Sequence, residues 1–179
     1  MSGIETTCIQ KIHEFRIMNQ DKKIGVTASC FDLFHAGHML MVKDGKEHCD
    51  IFVAFLQTDP TLDRPEKNKP ILSFEERKIL VEGCKYIDQV FIYSTEKELY
   101  DGLTALQADI RILGDDYKGK KCTGDDLPME VYYHDRSVHG WSTTKLRKRI
   151  WWEEGKKIKD NESLHHEKSL PHSSTFTFN

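Results

Sequence analysis

The sequence predicts an α/β domain, a doubly wound parallel sheet of about five strands with helices on both faces. Three stretches predict it. Residues 24–28 form a β-type run that enters a tight turn and then a helix-like segment over 37–48. Residues 51–56 are continuously apolar between polar flanks, the pattern of a parallel strand covered on both sides. Residues 110–113 read as a further strand, and it ends in a Gly114-Asp115-Asp116 turn. Strands alternating with helical stretches wind through right-handed crossovers around such a sheet.

Residues 1–22 are polar with scattered Ile9, Ile12, Phe15 and Ile17, and read as an N-terminal extension, a short helix or strand packed on the outside. The domain proper spans 23–154. After the first strand comes Ser29-Cys30-Phe31-Asp32-Leu33-Phe34-His35-Ala36-Gly37-His38. A strand, a turn and a helix start make an anion cradle, because free N–H groups and the helix dipole point at the ligand. His35 and His38 are three apart and project to one side of the first helical turn. Gly37 between them allows close backbone approach. Met39, Leu40 and Val42 of this helix should face the sheet.

The polar loop over 57–70 leaves the carboxyl end of the second strand, where ligands bind in open sheets, and it carries Lys67 and Lys69. Ser73 and Glu76 form a capping box that starts a helix reaching about Lys85. Its Arg77 could pair with a carboxylate on the helix surface. A strand over 89–93 and a helix over 95–106 complete the next crossover, and 130–134 reads as the last strand. Asp115 and Asp116 fall at the carboxyl edge of the sheet. Ser142 is an N-cap for a helix to about Trp152, with Leu146, Ile150 and Trp151 inward. From 155 to 179 the composition reads as a flexible tail, in which His165, His166 and His172 carry no metal signal.

At 179 residues the chain fits one ordinary domain, and its 38 % hydrophobic content is enough for a core. A formal net charge of −3 and the lack of a basic–aromatic stripe argue against nucleic acid as a partner. The five cysteines are odd in number with no C-x-x-C pair, which predicts reduced thiols. There is no apolar run of membrane-spanning length and no signal-peptide pattern near the start, so a soluble cytoplasmic protein is expected.

The stretch Phe31-Asp32-x-x-His35-x-Gly37-His38 resembles the H-x-G-H signature of the nucleotidylyltransferase superfamily, in particular its cytidylyltransferases. Ser29 stands where that pattern has Gly. The segment from Ser73 to Val90, Gly114-Asp115-Asp116-Tyr117, and Arg136-x-x-x-Gly140-x-Ser142-Thr143-Thr144-Lys145 resemble further segments of the same family, the last closest to enzymes that use glycerol 3-phosphate. Here Arg136 and Gly140 are one residue further apart than in that signature, and His139 is given no role.

The resemblance implies a Rossmann-like fold and transfer of CMP from CTP to a small phosphate monoester, with release of pyrophosphate. It implies catalytic roles for His35, His38, Lys69 and Arg136. Nucleotide contacts would come from Cys30, Phe31, His35, Gly37, His38, Lys67, Arg77, Asp115, Arg136, Gly140, Ser142, Thr143 and Thr144. Mg²⁺ would travel with CTP, held mainly by triphosphate oxygens rather than by protein. A homodimer and a part in phospholipid or cell-envelope precursor synthesis are also implied. Glycerol 3-phosphate is the leading acceptor, ahead of phosphoethanolamine, phosphocholine and a sugar phosphate. ATP as the nucleotide, or a nucleotide-binding regulatory domain without catalysis, are the alternatives.

Overall fold

The structure, a computed structural model, describes residues 8–169, with side chains through residue 158. Its elements in order are α1 (Cys8–Met18), β1 (Ile24–Ser29), α2 (Ala36–Lys46), β2 (Ile51–Gln57), α3 (Phe74–Glu82), β3 (Gln89–Tyr93), α4 (Glu96–Leu106), β4 (Ile110–Gly114), β5 (Glu130–His134) and α5 (Thr143–Ser169). Short 3₁₀ turns occupy Pro60–Leu62, Asp115–Tyr117 and Arg136–Val138. The chain divides into two compact units, residues 1–143 and 144–179.

In the first unit all five strands pair in parallel, in the order β3-β2-β1-β4-β5. Alternation along β2 shows how the strand is used. Phe52, Ala54 and Leu56 enter one core with Val42 of α2 and Val81 of α3, while Val53 and Phe55 enter the other with Leu99 and Leu103 of α4. The chain runs outward through β2 and β3, then returns to lay β4 beside β1. That reversal opens a crevice at the carboxyl ends of β1 and β4, the place where such sheets bind ligands.

Four expectations are corrected. The N-terminal segment is not simply an outer layer: Ile12 of α1 is 1 % exposed within the core, and Phe15 meets Phe91 edge-on at 5.6 Å. On α2, Met39, Met41 and Val42 reach the core but Leu40 does not, because the buried stripe follows the 3.6-residue period. In the second unit α5 passes Trp152 and runs through Ser169, so residues 155–169 are helical where a tail is expected; residues 170–179 lie outside the described residues. Ile150 and Trp151 are exposed rather than inward. No proline interrupts residues 143–169, and the pairs Glu153–Lys156 and Glu154–Lys157 support the turns.

Candidate active site

The tip of α2 is closed by its own histidines. His35 is the N-cap, with extended backbone (φ −125°, ψ 173°). Its Nδ1 accepts the Gly37 N–H at 3.0 Å, and Nδ1 of His38 accepts the His35 N–H at 3.4 Å, a reciprocal capping box built from imidazoles. Sequence reading sees the spacing and misses this role, because Ser, Thr, Asp and Asn are the usual caps. The box fixes both tautomers: each Nδ1 is an acceptor, so each Nε2 carries the proton. His35 Nε2 lies 3.3 Å from Thr143 Oγ1, whose hydroxyl donates to the Asp32 carbonyl at 3.4 Å. The two rings stack at 4.1 Å and 21°.

Both imidazoles are held neutral. Burial pushes His38 down to about 3, with His35 and Arg136 adding repulsion. Burial, then Arg136 and His139, also lowers His35. The pair therefore presents N–H donors without the full charge of imidazolium. The turn before it is strained, since Phe31 (φ 50°) and Leu33 (φ 48°) take the left-handed conformation. Ser29, where the family signature has Gly, has a use here: its Oγ accepts the Phe31 N–H at 3.2 Å. A side chain on Gly37 would meet the His35 ring at 2.9 Å and the Trp141 carbonyl at 3.1 Å, which explains the glycine.

Buried polar groups behind the turn set the loops. Asp32 Oδ1 accepts the N–H groups of Ile71 (2.9 Å) and Leu72 (3.0 Å), anchoring the far end of the loop that carries Lys67 and Lys69. Both lysines are exposed on that loop. Arg77 is not on the helix surface. It is 1 % exposed and donates to the carbonyls of Cys30 (2.8 Å), Gln57 (2.6 Å), Leu72 (3.3 Å) and Thr58. The guanidinium thus braces the ends of β1 and β2. Cys30 is half-buried beside it, and burial raises its thiol pKa.

At the end of β4, Asp116 Oδ1 holds Arg136 Nη1 at 2.7 Å, and a side chain at Gly114 would collide with both. Asp115 is half-buried in the 3₁₀ turn. Between Arg136 and Gly140 the chain forms the 3₁₀ turn Arg136–Val138, capped by Asp135, whose Oδ1 accepts the Ser137 N–H at 2.8 Å. Gly140 is exposed, Ser142 half-buried, and Thr143 the first residue of α5 and the last of the first unit. Thr144 opens the second unit and is exposed. The structure therefore joins His35, His38 and Thr143, with the charge of Arg136 felt at both rings, and gives Arg77 and Asp32 to the scaffold.

A parallel sheet of this order with paired imidazoles at the β1–α2 tip defines the fold of the H-x-G-H nucleotidyltransferases. Residues 26–149 match the family model described as cytidylyltransferase-like, and the chain belongs to that family. It is similar to the bifunctional protein HldE of Campylobacter concisus, 34 % identical over 79 % of this chain and 30 % of the relative. The HldE of Wolinella succinogenes is 32 % identical with the same coverage, so the match spans under a third of these relatives. Among solved structures, a lipopolysaccharide core biosynthesis protein from Thermoplasma volcanium superposes with a TM-score of 0.52 (22 % identity, 64 % of this chain, 99 % of that one). Pantoate–β-alanine ligase from Francisella tularensis gives 0.55 (16 % identity, 78 % and 70 %). At these identities the likeness is one of fold. No helix among the described residues is long and apolar enough to cross a membrane.

Proposed function

We propose that this chain transfers a nucleotidyl group from a nucleoside triphosphate to a small phosphate monoester, with CTP as donor and glycerol 3-phosphate as the first acceptor to test. The observation that carries the reading is the imidazole capping box, which leaves two neutral Nε2–H donors at one helix tip. An acceptor phosphate oxygen attacks the α-phosphorus, the bond to the bridging oxygen breaks, and pyrophosphate leaves. Negative charge grows on the nonbridging and leaving oxygens, and fixed N–H donors stabilise it more in the transition state than before it. The substrate phosphate is already an anionic nucleophile, so no covalent protein intermediate is required.

Arg136 would exchange Asp116 for the β- and γ-phosphates, joined by the hydroxyls of Ser142 and Thr143. Lys67 or Lys69 would bring positive charge from the loop that Asp32 anchors. Mg²⁺ would supply charge neutralisation on the triphosphate, held mainly by phosphate oxygens.

The test is pyrophosphate release from CTP and from ATP, each with glycerol 3-phosphate, phosphoethanolamine, phosphocholine and a sugar phosphate. Release with CTP is expected. Release with ATP alone would change the nucleotide and keep the reaction. Tight CTP binding without release for any acceptor would instead mark a regulatory domain. His35→Ala and His38→Ala should each lower turnover by about 10²-fold or more with unchanged circular dichroism; near-wild-type rates in both would end the assignment.

A further inference from the structure

Beside the imidazole pair lies a second chain of histidines that the mechanism above leaves unused. It starts on α2 itself. Asp44, two turns after His38, holds His134 Nδ1 at 2.6 Å from its Oδ2 and accepts the Tyr132 hydroxyl at 3.1 and 3.2 Å. His134 is the last residue of β5 and is 5 % exposed. Its Nε2 faces His139 Nε2 at 3.2 Å, and the two rings lie 5.5 Å apart at 28°. The outer face of His139 stacks on Trp141 at 5.4 Å and 17°. Two residues beyond Trp141, Thr143 meets His35.

The Asp44 carboxylate can only accept, so His134 Nδ1 carries a proton. The two Nε2 atoms, 3.2 Å apart, share one proton in a single hydrogen bond between the rings. The His139 Nδ1 is buried with no partner, so the ring is held by the stack on Trp141 and the Nε2–Nε2 hydrogen bond. The His139 backbone is extended (φ −150°, ψ 147°), and the chain beyond it lies against the first turn of α2, where the Trp141 carbonyl leaves no room for a side chain on Gly37.

We propose that His139 is a positioning residue: through His134 and Asp44 it ties the 139–143 segment to the helix that bears His35, and so holds Thr143 in hydrogen-bond reach of His35 Nε2. The tie closes a ring of contacts, from the body of α2 through Asp44, His134, His139 and Thr143 back to its tip. It rests on the nucleotidyl-transfer reading only for its catalytic consequence, since the seating of Thr143 is a property of the unliganded chain.

Two substitutions separate the bond from the stack. His139→Phe keeps a ring against Trp141 and loses the hydrogen-bonding nitrogen; His139→Gln restores a polar group, able to donate or accept, toward His134. Amide hydrogen exchange over 139–143 is read first, without any nucleotide. His139→Phe should exchange at least tenfold faster there with the rest of the sheet unchanged, and His139→Gln should stay within threefold of the parent. In pyrophosphate release, His139→Phe should lose tenfold or more in kcat/KM for CTP, and His139→Gln should recover most of it. Unchanged exchange in His139→Phe overturns the tie, whether or not activity falls. Equal losses in the two variants overturn the hydrogen bond as its basis. If the parent chain releases no pyrophosphate with any substrate, the reaction fails while the exchange data still decide the tie. Should His139→Phe not fold, Asp44→Asn, which weakens the hold on His134 from the far end, must give the same localised exchange or the proposal falls.

Discussion

At the scale of single residues, the unusual decision is the use of imidazole as a helix cap. Capping spends each Nδ1 on a backbone N–H and so commits each Nε2–H to the mouth of the site. It also makes charging costly. His38 in the fold resists a proton down to about 3, whereas a free histidine accepts one near 6.5. The protonated form is the disfavoured one, so the stability this residue contributes is complete above 6.5 and is lost progressively as pH falls from 6.5 toward 3. Urea unfolding should therefore show stability falling on acidification from neutral pH, by up to about 1.4 kcal/mol per pH unit from this group. His38→Gln should flatten that slope. An NMR titration of His38 with a midpoint near 6.5 would contradict the buried, capped ring.

At the scale of elements, loops with little apolar content are placed by buried polar anchors. Asp32 fixes the lysine loop, and Arg77 collects carbonyls from the ends of β1 and β2 and from the start of its own helix. These carbonyls have no water to turn to once the guanidinium is gone. Arg77→Met should cost about 3 kcal/mol or more in urea unfolding, because several buried acceptors lose a charged donor together. Activity should fall further than stability explains, since the turn carrying Cys30 and the loop after β2 both lose their brace. A loss below about 0.5 kcal/mol would show that the acceptors find other donors. The same principle limits sequence reading: Arg77 sits in a polar, capped helix start, where the residues suggest a surface ion pair and the resemblance a nucleotide contact, and only the neighbouring strand ends reveal what it holds.

At the scale of the whole molecule, the sheet order places the crevice between β1 and β4 and brings together segments a hundred residues apart. The N-terminal helix belongs to this unit. Ile12, which the sequence places in an extension packed on the outside, lies among Phe55, Leu99 and Leu103 of the core. Ile12→Ala should destabilise the protein by about 2–5 kcal/mol, the range for a fully buried branched side chain. Thermal or urea unfolding checks this, and a change under about 1 kcal/mol would mean that α1 is an appendage after all. In the second unit, the described residues 144–169 continue α5, and the pairs Glu153–Lys156 and Glu154–Lys157 support its course past Trp152.

By itself the sequence determined the alternation of strands and helices, the parallel sheet and the imidazole–glycine–imidazole helix tip, because hydrophobic period and local turn chemistry are written residue by residue. It also marked the hydroxyl-bearing helix start. What only the tertiary structure decided are the partners: that His35 meets Thr143, that Asp116 holds Arg136, that Arg77 is buried among carbonyls, and that Asp44 reaches through His134 to His139. Each of these joins segments distant along the chain, and a hydrogen bond between such segments depends on strand order and side-chain direction, which no local pattern encodes.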